Sequence, residues 1–144
     1  MEQNIALNKD RNIFGRRNII GAFIATHGAM HAFLLNTPRV SGEPGNFLTN
    51  GGDIPLLNSL GLNAAGADLL GSTLVLIAAA GLLIGALLYL RGTGTAWKGV
   101  LSAAAALSII TLLMFWNDWM VMAPLIDLGI LALVYRSSSS SVGA

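Results

Sequence analysis

The sequence predicts an all-α integral membrane protein: a four-helix bundle, N-in and C-in, with a long outer loop between helices one and two. Three observations predict it. Of 144 residues, 54% are hydrophobic and only 10% charged, against about 25% charged in a typical soluble domain. With a mean hydropathy of +0.68, so little charge cannot cover a water-facing surface, but it suits one that faces lipid. Apolar runs near membrane-crossing length recur along the chain, a span taking ~20 residues within a range of ~17–25. The basic residues also segregate. With the N-terminus inside, Lys9, Arg11, Arg16, Arg17, Arg91, Lys98 and Arg136 fall on the cytoplasmic side and Arg39 alone falls outside. This is the positive-inside pattern, and it supports four spans rather than three or five.

Residues 1–17 form a polar, basic cytoplasmic arm. The first span, 18–35, stops before Asn36-Thr37-Pro38, because proline disfavours helix at the residue before it. It is read as a retained helix rather than a cleaved leader, since no small-x-small cleavage site follows and two histidines interrupt it. Residues 36–66 hold three of the four prolines and turn pairs such as Asn50-Gly51-Gly52-Asp53, and so form a long loop. Within it, Ile54 to Leu62 is apolar enough to lie in the membrane interface or to cap the bundle. The second span, 67–90, carries no charge after Asp68. Arg91 to Thr95 is a turn, 97–116 the third span and 119–136 the fourth. A polar tail, 137–144, is expected to be disordered.

Tyr89, Trp97, Trp116, Trp119 and Tyr135 fall at span ends, where amphipathic rings favour the headgroup layer. Gly81-Leu-Leu-Ile-Gly85 and Ala103 to Ala106 supply small residues that let helices approach closely. Packing within the bundle is the favoured reading of them, ahead of a homodimer face.

Composition also excludes. A net charge of +1 provides no basic field for nucleic acid. The absence of cysteine removes disulfides, thiolate metal sites and Cys nucleophiles. No phosphate loop, nucleophile elbow or His-Glu-x-x-His pattern occurs, so catalytic residues stay unassigned and a non-enzymatic role is expected.

Ionisable side chains inside a bilayer cost a few kcal/mol each and require a partner or a purpose. His27 and His31, four residues apart, share one helix face, and Asp127 interrupts the fourth span. At ~1.5 Å rise per residue, His27 lies roughly 15 Å beyond Arg17, His31 roughly 21 Å beyond it, and Asp127 roughly 14 Å from Arg136. The level match predicts that the first and fourth helices touch, with His27 and Asp127 bonded near the midplane. Asp68, at the start of the second span, and Asn117-Asp118, at the end of the third, fall at the outer edge. With His27, His31 and Asp127 they would form an outward-facing ligand-binding pocket lidded by the 36–66 loop. Pro124 can bend the fourth helix there. Each feature has a structural reading beside the functional one: Asp68 as a helix cap, Asn117-Asp118 as a turn, and the His27–Asp127 pair as buried polarity that fixes helix register.

Apolar walls with a few convergent polar groups are the usual recipe for a ligand pocket, so a hydrophobic ligand, quinone or lipid-like, leads. A non-catalytic accessory subunit of a larger membrane complex is the alternative. A further one is a metal ion on His27, His31 and Asp127, two imidazoles and a carboxylate being a first-row metal set. His27-Gly-Ala-Met-His31 in the first helix, then Trp116-Asn-Asp-Trp119 before a short last helix, resembles small uncharacterised prokaryotic four-helix membrane proteins of the DoxX-like kind. The likeness covers the four-span layout and those two motifs, not the 36–66 loop. It implies a multi-pass protein of a prokaryotic plasma (inner) membrane, associated with redox partners or quinone-linked systems. It carries over no catalytic residue, and without cysteine it implies no thiol chemistry.

Overall fold

A computed structural model describes residues 15–37, 54–92, 94–116 and 121–139. These are almost entirely helical: α1 (Arg16–Leu35), the short α2 (Pro55–Ser59), α3 (Ala64–Arg91), α4 (Ala96–Met114) and α5 (Met122–Ser139). Three of them, α1, α3 and α4, are long and apolar enough to cross a membrane. Large apolar side chains such as Phe23, Phe33, Leu69, Leu87, Ile110 and Leu128 stand exposed around the outside, a surface that water would penalise and lipid accepts.

The long helices pack in chain order, α1 on α3, α3 on α4 and α4 on α5. Small residues set two of these contacts. A Cβ at Gly28 would stand 2.9 Å from Leu82 Cβ and 3.2 Å from the Ala79 carbonyl oxygen, and one at Gly81 would stand 2.7 Å from Ala104 Cβ. Gly85 lies directly under the Leu101 side chain. The Gly81–Gly85 pair is therefore used within the chain, against α4, as the small-residue pattern predicts.

Helix ends depart from the hydropathy reading in instructive ways. α3 begins at Ala64, three residues earlier than predicted, because Asn63 caps it: its side-chain oxygen accepts from Gly66 N–H at 2.8 Å. Asp68 thus lies in the second turn and is not the cap. α5 begins at Met122, so Pro124 sits in the first turn rather than mid-helix, where a missing N–H breaks no helical hydrogen bond. α5 also continues through Ser139, so the first three residues of the expected tail are helical. Ser137 and Ser138 donate to the Leu133 and Val134 carbonyls, and Lys98 Nζ donates to the Ser137 carbonyl at 2.9 Å.

One end of the bundle is basic. There Arg17 donates from Nε to the Tyr89 carbonyl at 2.7 Å and from a terminal nitrogen to the same oxygen, satisfying the C-terminus of α3. Gly92 ends that helix with φ 74°, and its bare Cα leaves room for the Arg17 guanidinium. Tyr89 and Trp97 meet edge-on, centroids 5.0 Å apart. Trp97 stands in the first turn of α4, at a span end as the aromatic reading expects, with its ring turned into the main core.

The core is layered. Nearest the basic end lies the main cluster, including Ile24, Leu82, Leu101, Ala105 and Ile130. Next come the polar residues described below, and then an apolar plug of Val75 and Leu112 with Leu34, Leu35 and Ala123 against it. At the far end Ile54 and Leu57 of the α2 segment close over Ala67 and Phe115. This segment thus packs on the end of the bundle.

Candidate functional site: a buried His–Ser–Asp–His cluster and the groove beneath it

The inward stripe of α1 runs Gly21, Ile24, His27, Gly28, His31, and its spacing puts both imidazoles on the face turned to the bundle. Asp127 occupies the equivalent stripe of α5 with Ile130 and Val134, and Ser108 that of α4 with Leu101, Ala104 and Ala105. His27 Nε2 lies 3.0 Å from Asp127 Oδ1. Ser108 Oγ donates to Asp127 Oδ2 at 2.6 Å and lies 3.2 Å from His31 Nε2. Since the Ser108 proton goes to Asp127, its oxygen accepts from His31 Nε2–H. His27 correspondingly donates to the carboxylate. The two rings meet edge-to-face at 4.8 Å.

A continuous hydrogen-bonded chain therefore runs His31–Ser108–Asp127–His27 and ties α1, α4 and α5 together. Its burial is extreme: Asp127 has 0% of its surface exposed and His27 8%. Among the described residues no buried side-chain nitrogen or oxygen lacks a partner, which is what makes such polarity tolerable in an apolar interior. His27, His31 and Asp127 offer ligand atoms all within 4.8 Å of one another, so the same three side chains could hold a first-row metal, with Ser108 beside them.

Of the six residues predicted for the site, the structure brings His27, His31 and Asp127 together. Asp68 is not with them: it adjoins Ala67 in the end-cap layer, two turns of α3 beyond Val75, with the Val75–Leu112 plug between. Asn117 and Asp118 lie outside the described residues. Ser108 is the member that sequence reasoning missed. A signal existed: Ser108 is ten residues from Lys98, as His27 is ten from Arg17, so the same depth count puts it roughly 15 Å in.

Open space lies on the basic side of the cluster. One turn from His27 and Asp127, a groove of about 340 Å³ runs between α1 and α5, lined by Ile20, Phe23, Ile24, Ile126, Gly129, Ile130 and Leu133. It shares Ile20, Gly129 and Leu133 with a cavity of about 500 Å³ at the basic end, where Arg16, Tyr89, Ala132, Arg136 and Ser137 complete the lining. The seam is thus polar and closed at mid-depth, apolar below, and cationic at its mouth.

The class that this fold and site define is an all-helical protein with three helices able to cross a membrane and a buried His–Ser–Asp–His chain across α1, α4 and α5. Comparison with models of known families, with curated proteins and with solved structures finds no match in any of the three.

Proposed function

We propose that this is a four-span membrane protein, basic end in the cytoplasm, that binds a hydrophobic, quinone- or lipid-like ligand in the seam between α1 and α5. α5 is the fourth span, completed by flanking residues, and the one-sided distribution of arginine and lysine supports the orientation. The observation that carries the ligand reading is the character of this seam. It is joined by a side-chain bond, His27 to Asp127, and opens immediately below into a groove walled by apolar side chains. An apolar cleft ending on a few convergent polar groups is the form ligand sites take. The resemblance of the two motifs to DoxX-like proteins favours a quinone among such ligands.

The test is mass spectrometry of protein released gently from its membrane, compared with Gly129→Leu. Gly129 lines the groove and a Cβ there meets nothing within 4 Å, so leucine fills the ligand space without disturbing the bundle. A small apolar species held by the wild type and absent from Gly129→Leu is the expected result. Equal occupancy of both, or none in either, removes the reading.

The 4.8 Å ligand set favours a second reading, a divalent metal on His27, His31 and Asp127. Elemental analysis decides it: stoichiometric metal in the wild type that is lost in His31→Ala supports a metal centre, and metal-free wild type rejects it.

A further inference from the structure

Ser108 is more than a neighbour of the three side chains that could hold a metal. His27 Nε2 stands 3.0 Å from Asp127 Oδ1, and Ser108 Oγ stands 2.6 Å from Asp127 Oδ2 and 3.2 Å from His31 Nε2. A tetrahedral zinc ion bound by nitrogen and oxygen at ~2.0–2.1 Å holds adjacent ligand atoms roughly 3.3 Å apart. The spacings along the chain approach that edge length, so four donors already stand about as close together as one ion holds its ligands. The two histidines lie four residues apart on α1, the spacing at which imidazoles of one helix reach a single ion. Asp127 comes to them from α5 and Ser108 from α4.

Burial and charge both bear on the fourth position. Asp127, Ser108 and His31 are 0%, 2% and 3% exposed. The Val75–Leu112 layer lies on one side of them and the main core on the other. A fourth ligand is therefore drawn from the protein, and a set filled by four side chains is the form of a structural zinc site rather than a catalytic one. Charge leads to the same residue. The ion brings two positive charges and Asp127 returns one, while an uncompensated charge deep in a bilayer is costly. Ser108 can supply the second negative charge by giving up the proton that it donates to Asp127. A divalent ion drives off the proton of an oxygen that it binds, and metal binding releases protons from its ligands.

We propose that His27, His31, Asp127 and Ser108 form a closed four-ligand site for a zinc-class divalent ion, with Ser108 bound through its deprotonated oxygen. Binding exchanges the hydrogen bonds of the chain for four bonds to the ion. Each imidazole moves its one proton to Nδ1 and binds through Nε2, and the Ser108 proton leaves to solvent, one for each ion bound. This rests on the metal reading of the cluster and names its fourth ligand and its class. The ion staples α1 to α4 and α5 at the depth where His27 and Asp127 already join the α1–α5 seam.

The experiment uses the full chain in nanodiscs, stripped with chelator and titrated with Zn2+ and with Co2+, whose visible absorption is intense when four-coordinate and weak when six-coordinate. The wild type is expected to bind one ion, to show the intense cobalt spectrum and to release one proton into weak buffer. Ser108→Ala is expected to bind roughly tenfold or more weakly and to release no proton. Ser108→Cys should restore tight binding and add a thiolate-to-cobalt charge-transfer band, which in a chain without cysteine can come only from position 108. Thr111→Val, whose hydroxyl is bonded within α4, should behave as wild type. Melting curves of the metal-free proteins check the fold, and Ser108→Cys carries the test if Ser108→Ala does not fold. Wild-type affinity and proton release in Ser108→Ala, a weak cobalt spectrum in the wild type, or no thiolate band in Ser108→Cys overturns the four-ligand site while leaving a metal on the other three residues. A wild type that binds neither ion removes the metal reading itself, and this proposal with it.

Discussion

The α3–α4 seam and the α1–α5 seam are built from the same small alphabet and behave in opposite ways. Between α3 and α4, Gly81 meets Ala104 and Gly85 meets Leu101 so closely that neither glycine has room for a methyl group. Between α1 and α5, Gly129 faces open space, and the helices are joined at mid-depth by His27 and Asp127. In lipid there is little hydrophobic force between helices, so close van der Waals packing and interhelical hydrogen bonds must hold the bundle. One seam uses the first device and the other the second. A seam held by packing cannot open without losing its contacts, whereas one held at a point leaves its remaining length available to a ligand.

The sharpest way to break this comparison is to remove the point of attachment. Asp127→Ala leaves His27 Nε2 and the Ser108 hydroxyl without their acceptor in a sealed interior. At about 1–3 kcal/mol for each of the two buried groups left unsatisfied, the loss should be about 2–6 kcal/mol, read as a lower midpoint in denaturing-detergent titration. Asp127→Asn keeps an acceptor oxygen and should lose less than half as much. If Asp127→Ala unfolds like wild type, the α1–α5 seam is not held by this bond and the contrast fails. Next in size is Gly85→Leu, which forces a side chain into Leu101 and should cost about 1–3 kcal/mol by overpacking, measured the same way.

Ser108 and Thr111 separate bonds that tie helices from bonds that do not. Ser108 links His31 to Asp127 across helices, whereas Thr111 is as deeply buried but donates to Leu107 of its own helix at 2.8 Å. Ser108→Ala should cost about 1 kcal/mol, in the range of interhelical hydrogen bonds in membranes, and Thr111→Val distinctly less. Equal costs would mean that burial, not the link to Asp127, sets the contribution of each hydroxyl.

This pair also shows what the sequence could disclose. The three helices long enough to cross a membrane follow from hydropathy, and the level match of His27 with Asp127 follows from counting inward from Arg17 and Arg136, because rise per residue is fixed. Ser108 escapes such reasoning because a hydroxyl in an apolar helix can satisfy itself on its own backbone, as Thr111 does, so it raises no alarm. The start of α3 was hidden because its first turn, Ala64-Ala65-Gly66, carries little hydropathy, and only the Asn63 cap reveals it. Trp97 is legible as a span-end residue, but ring chemistry alone does not say that its side chain turns into the core. The groove was least legible of all: it depends on how far apart two helices stand and on a side chain that Gly129 does not have.

Gly129 therefore carries the smallest stability effect expected here and completes the comparison with Gly85. The same replacement, glycine to leucine in a helix interior, is made in each seam. At Gly129 no atom lies within 4 Å of the new Cβ, so no overpacking term arises. Removing a helical glycine relieves roughly 0.5–1 kcal/mol of backbone entropy loss relative to alanine. Gly129→Leu should consequently melt at or slightly above the wild-type midpoint. Gly99, also open and away from the groove, is the control: Gly99→Leu should match it in stability while keeping any seam ligand. If Gly129→Leu destabilises as Gly85→Leu does, the α1–α5 seam closes more tightly in the bilayer than its open wall implies, and the two seams are alike. If it is stable yet stripped of ligand, then the packed seam maintains the fold and the bonded seam holds the ligand.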